Sequence, residues 1–242
     1  MKHRIAGQIM EKNTQKIEPK DAHPDGSVEV HSIWDTVQGE GPFFGTPAVF
    51  IRLAGCNLQC HWCDTDYTSV RKRMTPLDVV EELSALPSRK LIVITGGEPF
   101  RQNLQSLVLR LIDEMGPGGI VQIETNGTLG VPFILAKMSV VCSPKTRSIP
   151  HQTAMRADAF KYVVKAGLID SSDGLPLVSV GPQYGRPYRP PMLNQVADKI
   201  FVQPLDEKDE IKNKKNLDAA VESCRRFGYR LSVQTHKLAG LD

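Results

Sequence analysis

Three cysteines fall within eight residues, as Cys56-x3-Cys60-x2-Cys63, directly after the apolar run 48–53 (AVFIRL). Thiolates are soft ligands, suited to iron–sulfur clusters and to zinc. Three of them can hold three irons of a [4Fe-4S] cubane and leave the fourth iron without a protein ligand. Such an iron can bind the amino and carboxylate groups of S-adenosylmethionine. An electron from the reduced cluster then splits the sulfonium bond and releases a 5′-deoxyadenosyl radical, which the protein must aim and keep from water. The competing reading is structural zinc, which wants a fourth Cys or His at paired spacing. His61 lies inside the loop and could be recruited, but no second paired cluster follows it. Cys142, in an apolar run, and Cys224, on an apolar helical face, read as buried small hydrophobes.

The segment 95–99, Thr95-Gly96-Gly97-Glu98-Pro99, ends a later apolar run. Paired glycines there let the backbone approach a ligand and leave carbonyls for an ammonium group. Glu124-Thr125-Asn126-Gly127, Ser143-Pro144-Lys145 and Gln203-Pro204-Leu205-Asp206 follow further runs in the same way. Each alone reads as a strand terminator. Together, polar residues at the carboxyl ends of successive parallel strands would converge on one rim.

The elements that must position them are strands expected at 48–53, 91–95, 120–124, 140–143, 160–164, 200–202 and 231–234. A helix is expected from Thr75, with Pro76 at its first position and Asp78 three residues past the cap. A second spans about 103–115, and a third sets Leu217, Ala220, Val221, Cys224 and Phe227 on one face with Gly228 as its stop. The alternation of strands and helices predicts an α/β fold with mostly parallel strands. There are too few units for an eightfold barrel, so an open or partial (βα) barrel is expected. Residues 1–27 read as a flexible or loosely packed extension, and 28–242 as the domain. A Pro- and Gly-rich insertion at about 167–198 interrupts the rhythm, and long loops of this kind are often functional.

Composition narrows the classes. The chain has 242 residues, 40% hydrophobic and 24% charged, with a net charge of +3. That is one ordinary globular domain, without the concentrated basic face that nucleic acid requires. The basic run 208–215 is broken by Asp209 and Glu210 and reads as a solvated helix start. No stretch reaches the ~18 apolar residues of a membrane span, and no secretory signal is visible. Five cysteines, three of them crowded, point to metal binding in a reducing compartment, the cytoplasm by default.

The cysteine loop with the Gly-Gly-Glu-Pro turn resembles the radical SAM superfamily. Within it, Gln38-Gly39-Glu40-Gly41, then the run 50–58 (FIRLAGCNL) and Trp62-Cys63-Asp64-Thr65, resemble the 7-carboxy-7-deazaguanine synthases. Ser143-Pro144-Lys145 and Gln234-Thr235-His236-Lys237 extend the likeness, which runs from about Val30 onward and leaves out the insertion. The resemblance implies conversion of 6-carboxy-5,6,7,8-tetrahydropterin to 7-carboxy-7-deazaguanine with loss of ammonia, on the route to deazapurines such as queuosine. It implies a [4Fe-4S] cluster on Cys56, Cys60 and Cys63, S-adenosylmethionine, Mg²⁺, a flavodoxin-type electron donor, a homodimer, and a partial, distorted barrel.

By the same resemblance, Val37, Gln38, Gly39, Arg52 and Thr95 match substrate-binding positions. Thr65 matches the Mg²⁺ ligand. Gly97, Ser143, Pro144, Lys145, Gln203, Pro204, Leu205 and Asp206 match those that hold S-adenosylmethionine. The family's own C-terminal residue, commonly proline, reaches the substrate, which places Asp242 in that role with a second carboxylate. His236 reads equally as a substrate contact or a structural strand-end histidine. Two alternatives stay open on the residues alone: a radical SAM activase acting on a glycine of a partner protein, and a zinc-stabilised binding module that is no enzyme.

Overall fold

The computed structural model describes residues 12–21, 23–133 and 135–241. Its strands are Val28–Val37 (β1), Pro47–Leu53 (β2), Lys72–Met74 (β3), Leu91–Gly96 (β4), Ile120–Thr125 (β5), Met138–Cys142 (β6), Ala159–Val164 (β7), Ile200–Pro204 (β8) and Arg230–Leu231 (β9). Its helices are Pro76–Ser84 (α1), Gln105–Met115 (α2), His151–Arg156 (α3), Glu210–Phe227 (α4) and Thr235–Leu238 (α5). The strands form one sheet in the order β3-β1-β2-β4-β5-β6-β7-β8-β9. From β2 to β9 every pairing is parallel, while β1 runs antiparallel to β2 and β3. The sheet is not closed, and the architecture is the α/β partial barrel that the strand–helix alternation predicts.

Side chains alternate across a strand, and here the alternation divides two environments. Ile51 and Leu53, Ile92 and Ile94, Val121 and Ile123 pack with Leu107, Val108 and Leu111 of α2 and Val79 of α1. Phe160, Tyr162, Val164, Ile200 and Val202 pack with Ala220 of α4. The alternate positions, Arg52, Thr95, Glu124, Lys161 and Gln203, all line a cavity on the other side of the sheet. Parallel register keeps them level: Arg52 lies opposite Thr95, and Val163 opposite Gln203.

Two strands lie outside the sequence expectation. β1 carries Ser32, Trp34 and Thr36 on the cavity side, so its polar residues obscure the apolar pattern of a buried strand. β3 is a three-residue edge strand. The strand expected at 231–234 is only Arg230–Leu231, because the chain leaves the sheet after Ser232 to meet the turn after β1. There Gly41 N–H donates to Ser232 Oγ at 3.0 Å, and Thr235 N–H to Gly39 O at 3.3 Å. These loop bonds span the opening that the strands leave.

The N-terminal segment is not loose where it is described. Glu18 N–H donates to Cys56 O at 2.7 Å and Asp21 N–H to Arg101 O at 2.9 Å. Residues 1–11 lie outside the described residues. Between β7 and β8 the chain folds into a loop anchored by Arg189 on Asp173 at 3.0 Å and by Tyr229 Oη on Asp173 O at 2.7 Å. No helix among the described residues is long and apolar enough to cross a membrane.

The cap at the start of α1 matches its sequence signature. Asp78 N–H donates to Thr75 Oγ1 at 3.2 Å, and Thr75 N–H to Asp78 Oδ2 at 2.8 Å. Thr75→Ala is expected to lower stability by about 1 kcal/mol, read by urea denaturation.

Candidate active site

The cavity holds about 740 Å³. At one end stands the cysteine loop, which leaves β2 through Gly55 at φ +82°. The glycine pair at the end of β4 makes room for it. A Cβ on Gly97 would lie 2.0 Å from Gly55 O, and one on Gly96 2.2 Å from Leu53 O. The close approach expected at these glycines is thus first of all to the protein's own backbone. Gly97 also lines the cavity.

Cys56 and Cys60 are buried and Cys63 half-buried, all on the cavity wall. Burial pushes the Cys56 thiol up to about 12 and Cys63 to about 11, and raises Cys60 as well. Thiolates in this pocket therefore need a cation to hold their charge. Among the described residues the three sulfur atoms are not all within 4.8 Å of one another. Three ligands of one tetrahedral zinc, each about 2.3 Å from the metal, would be. Thiolates on three separate irons of a cubane stand farther apart, so the donor set fits the cluster. Asn126 adds an Nδ2 donor 3.9 Å from Cys56 Sγ.

Glu98 ties the turn after β4 to the end of β5. It accepts from Thr125 Oγ1 at 2.8 Å, Asn126 N–H at 2.7 Å and Phe100 N–H at 3.1 Å. Its carboxyl is wholly buried, and burial lifts its pKa from 4.5 to about 7.

Another part of the cavity wall is charged. Lys161 Nζ sits between Glu40 and Glu124, 3.3 Å from Glu124 Oε2. Burial works against its charge, but the two carboxylates outweigh that and hold it above its ordinary value. Burial likewise opposes the charge of Glu40, yet Lys161 and Gln234 keep its carboxyl below the usual range. Gln38 Nε2 donates to Glu124 Oε1 at 3.3 Å, Gln122 Nε2 to the same oxygen at 2.8 Å, and Gln234 Nε2 to Glu40 Oε1 at 2.7 Å. Arg52 lies over the Trp34 ring at 4.9 Å.

The residues singled out in the sequence gather closely. Val37, Gln38, Arg52, Thr65, Thr95, Gly97, Ser143, Lys145, Gln203, Leu205 and Asp206 line this cavity with the cysteines. Gly39, Pro144 and Pro204 do not line it, although each adjoins a residue that does. Gly39 instead lies beneath His236, where a Cβ would come 2.0 Å from Nδ1. Asp242 lies outside the described residues; Leu241, before it, lines the cavity. Glu40, Glu124, Gln234 and Lys237 lie in motifs read from the sequence but receive no individual role there, and Lys161 is not singled out at all. For Lys161 a signal existed: a lone charge in the run 160–164, at the parity opposite the apolar Phe160, Tyr162 and Val164. Lys237 Nζ binds Asp64 at 3.0 Å and Asp206 at 3.3 Å, joining α5 to the cysteine loop and to the turn after β8.

Known proteins agree with this geometry. The model of the Radical SAM superfamily matches residues 50–140. A 7-carboxy-7-deazaguanine synthase of Rhodospirillum rubrum is 45% identical over 226 residues, covering 88% of this chain and 92% of its own. The chain belongs to the 7-carboxy-7-deazaguanine synthase family. A member from Rickettsia prowazekii is 37% identical over 90% of this chain and 91% of its own. The crystal structure of QueE from Escherichia coli aligns with TM-score 0.62 and 25% identity, covering 86% of this chain and 94% of that one. Family membership sets aside both the zinc module and the activase.

The raised Glu98 carboxyl gives a pH dependence. In the metal-free protein the folded state holds this proton more tightly than the unfolded state. Its contribution to stability is complete below about 4.5 and lost as pH rises through about 7. Glu98→Gln is expected to flatten that part of the stability–pH curve, followed by thermal melts at stepped pH.

Proposed function

We propose that the chain is a radical S-adenosylmethionine lyase that converts 6-carboxy-5,6,7,8-tetrahydropterin to 7-carboxy-7-deazaguanine with loss of ammonia. The observation that carries the reading is one cavity lined both by the three-cysteine loop and by Arg52, Gln38, Glu124 and Lys161. When bound, the [4Fe-4S] cluster supplies the electron for reductive cleavage of S-adenosylmethionine, and so a radical for hydrogen abstraction from the substrate.

The chain's own residues have the remaining tasks. Cys56, Cys60 and Cys63 hold the cluster. Arg52, stacked on Trp34 and level with Thr95, presents a planar fork that suits a substrate carboxylate. Glu40, whose carboxyl Lys161 holds below the usual range, and Glu124 offer acceptors for the amino and ring N–H edge of a pterin, with Val37 and Gln38 lining that side and Gly39 between Gln38 and Glu40. Gly97, Ser143, Lys145, Gln203, Leu205 and Asp206, which line the cavity, would hold S-adenosylmethionine, with Pro144 and Pro204 between them in the chain. Thr65 offers a hydroxyl oxygen beside the Asp64 carboxylate, 3.4 Å away, a hard-donor pair suited to Mg²⁺. Asp242 keeps the substrate-binding role that the family resemblance gives it. The reading includes a homodimer, a flavodoxin-type electron donor and a reducing cytoplasm, with residues 28–242 as the catalytic domain.

The test is an anaerobic reaction with the carboxytetrahydropterin, dithionite, Mg²⁺ and S-adenosylmethionine, followed by mass spectrometry. The deazaguanine product is expected, and cleavage of S-adenosylmethionine without it would reject the substrate. Cys60→Ala should abolish that cleavage while far-ultraviolet circular dichroism stays unchanged. Arg52→Ala should weaken substrate binding roughly ten- to a hundredfold, the scale of one charge-assisted hydrogen-bonded pair, and leave S-adenosylmethionine binding nearly intact. Equal losses for both ligands would make Arg52 a structural residue.

A further inference from the structure

The cysteine loop has no helix or strand of its own between β2 and β3. Inside it, Cys63 N–H donates to Cys60 O at 3.2 Å, and Gly55 N–H reaches Tyr67 O at 2.8 Å across its base. Tyr67 Oη donates to Leu58 O at 3.3 Å, and Glu98 N–H to Gly55 O at 3.1 Å. Further bonds come from two segments beyond the 50–140 region that the superfamily model matches.

On one side lies the N-terminal segment. Glu18 N–H donates to Cys56 O at 2.7 Å and Asn13 N–H to His61 O at 3.2 Å. Gln15 is the centre of this contact. Its Nε2 donates to Thr65 O at 2.8 Å, while its Oε1 accepts from Tyr67 N–H at 2.8 Å and Thr68 Oγ1 at 3.0 Å. Its carbonyl accepts from Gln59 Nε2 at 2.6 Å. One side chain thus fixes the exit of the loop, and its main chain fixes the middle.

On the other side lies the turn 179–185 of the long β7–β8 connection. Val180 O accepts from Trp62 N–H at 2.9 Å, and Tyr184 Oη from Gln59 N–H at 2.9 Å. Val180 and Tyr184 pack against the cluster of Cys56, Leu58, Cys60, Tyr67 and Cys63. The approach is so close that a Cβ on Gly181 would lie 3.3 Å from Cys60 Cα and 2.5 Å from the Tyr184 ring.

We propose that residues 13–18 and 179–185 form a two-sided clamp that sets the spacing of the three thiolates for the cluster, with Gln15 and Tyr184 as its positioning residues. The inference rests on the proposed radical S-adenosylmethionine chemistry and deepens it. Groups that hold metal ligands from outside fix their orientation, and their removal typically weakens a metal site 10- to 100-fold. A loop without regular structure depends on such groups more than ligands carried on a helix or strand do.

The test uses the full-length protein after anaerobic iron and sulfide reconstitution, beside Gln15→Ala, Gln15→Glu and Tyr184→Phe. Three quantities are read: the rate at which an iron chelator bleaches the cluster, the change that S-adenosylmethionine induces in the EPR spectrum of the reduced cluster, and the melting of the metal-free proteins. Gln15→Ala is expected to lose its cluster roughly 10- to 100-fold faster than the wild type and to show a weakened EPR response. Gln15→Glu, which keeps the acceptors for Tyr67 and Thr68 but not the donor to Thr65, should fall between them. Tyr184→Phe, which removes one oxygen, should bleach several-fold faster with unchanged metal-free melting, and it carries the test if Gln15→Ala fails to fold. Wild-type bleaching rates and EPR responses in the variants would overturn the clamp. So would faster bleaching that merely follows the metal-free melting while the EPR response stays intact. A wild-type protein that takes up no cluster would overturn the proposed function and the clamp with it.

Discussion

The level register of the parallel strands is the constraint on which the rest of this structure depends. A strand that slipped by one residue would turn its cavity side chains into the helix layer and its core side chains into the cavity. Arg52, Thr95, Glu124, Lys161 and Gln203 share one face because their strands hold the same parity, with Ile51, Ile94, Ile123, Tyr162 and Val202 filling the opposite face. The apolar layer against α1, α2 and α4 therefore does two things at once. It drives folding, and it fixes where charged groups emerge.

Those charged groups are expensive to bury. Lys161, Glu40 and Glu124 coexist because each oxygen and the ammonium have partners, among them Gln38, Gln122 and Gln234. Removing Lys161 from such a set would leave two buried carboxylates without their cation. The cysteines follow the opposite logic. Their burial favours neutral thiols in the metal-free protein, so the pocket is completed by a cation instead of by a protein partner. One cavity thus contains a region whose charged groups are partnered within the protein and another whose thiols call for a metal.

Much of this was legible in the residues, and the gaps have physical causes. The short apolar runs marked the central parallel strands because their helix-side positions are apolar and part of the opposite face, such as Val93, Val141 and Val163, is apolar as well. β1 escaped because its cavity face, with Ser32, Trp34 and Thr36, belongs to the site, and a site face does not look like a core face. The cysteine loop and the turns after β4, β5, β6 and β8 were visible as local motifs. Lys161 was not, since its partners Glu40 and Glu124 are far away in sequence and only the closed fold brings them together. The same holds for the N-terminal segment: nothing in its polar composition announces that Gln15 lies against the loop at Thr65 and Tyr67.

The sheet stays open, and the gap between its two borders is spanned by the turn at Gly39–Gly41 and the chain around Ser232–Thr235. A ladder of paired strands resists parting along its whole length. A join of a few bonds between loops opens at much lower cost and leaves the strands where they were. The wall of the cavity is accordingly of two kinds, a ladder of paired strands that sets positions and a seam held by side-chain and loop bonds.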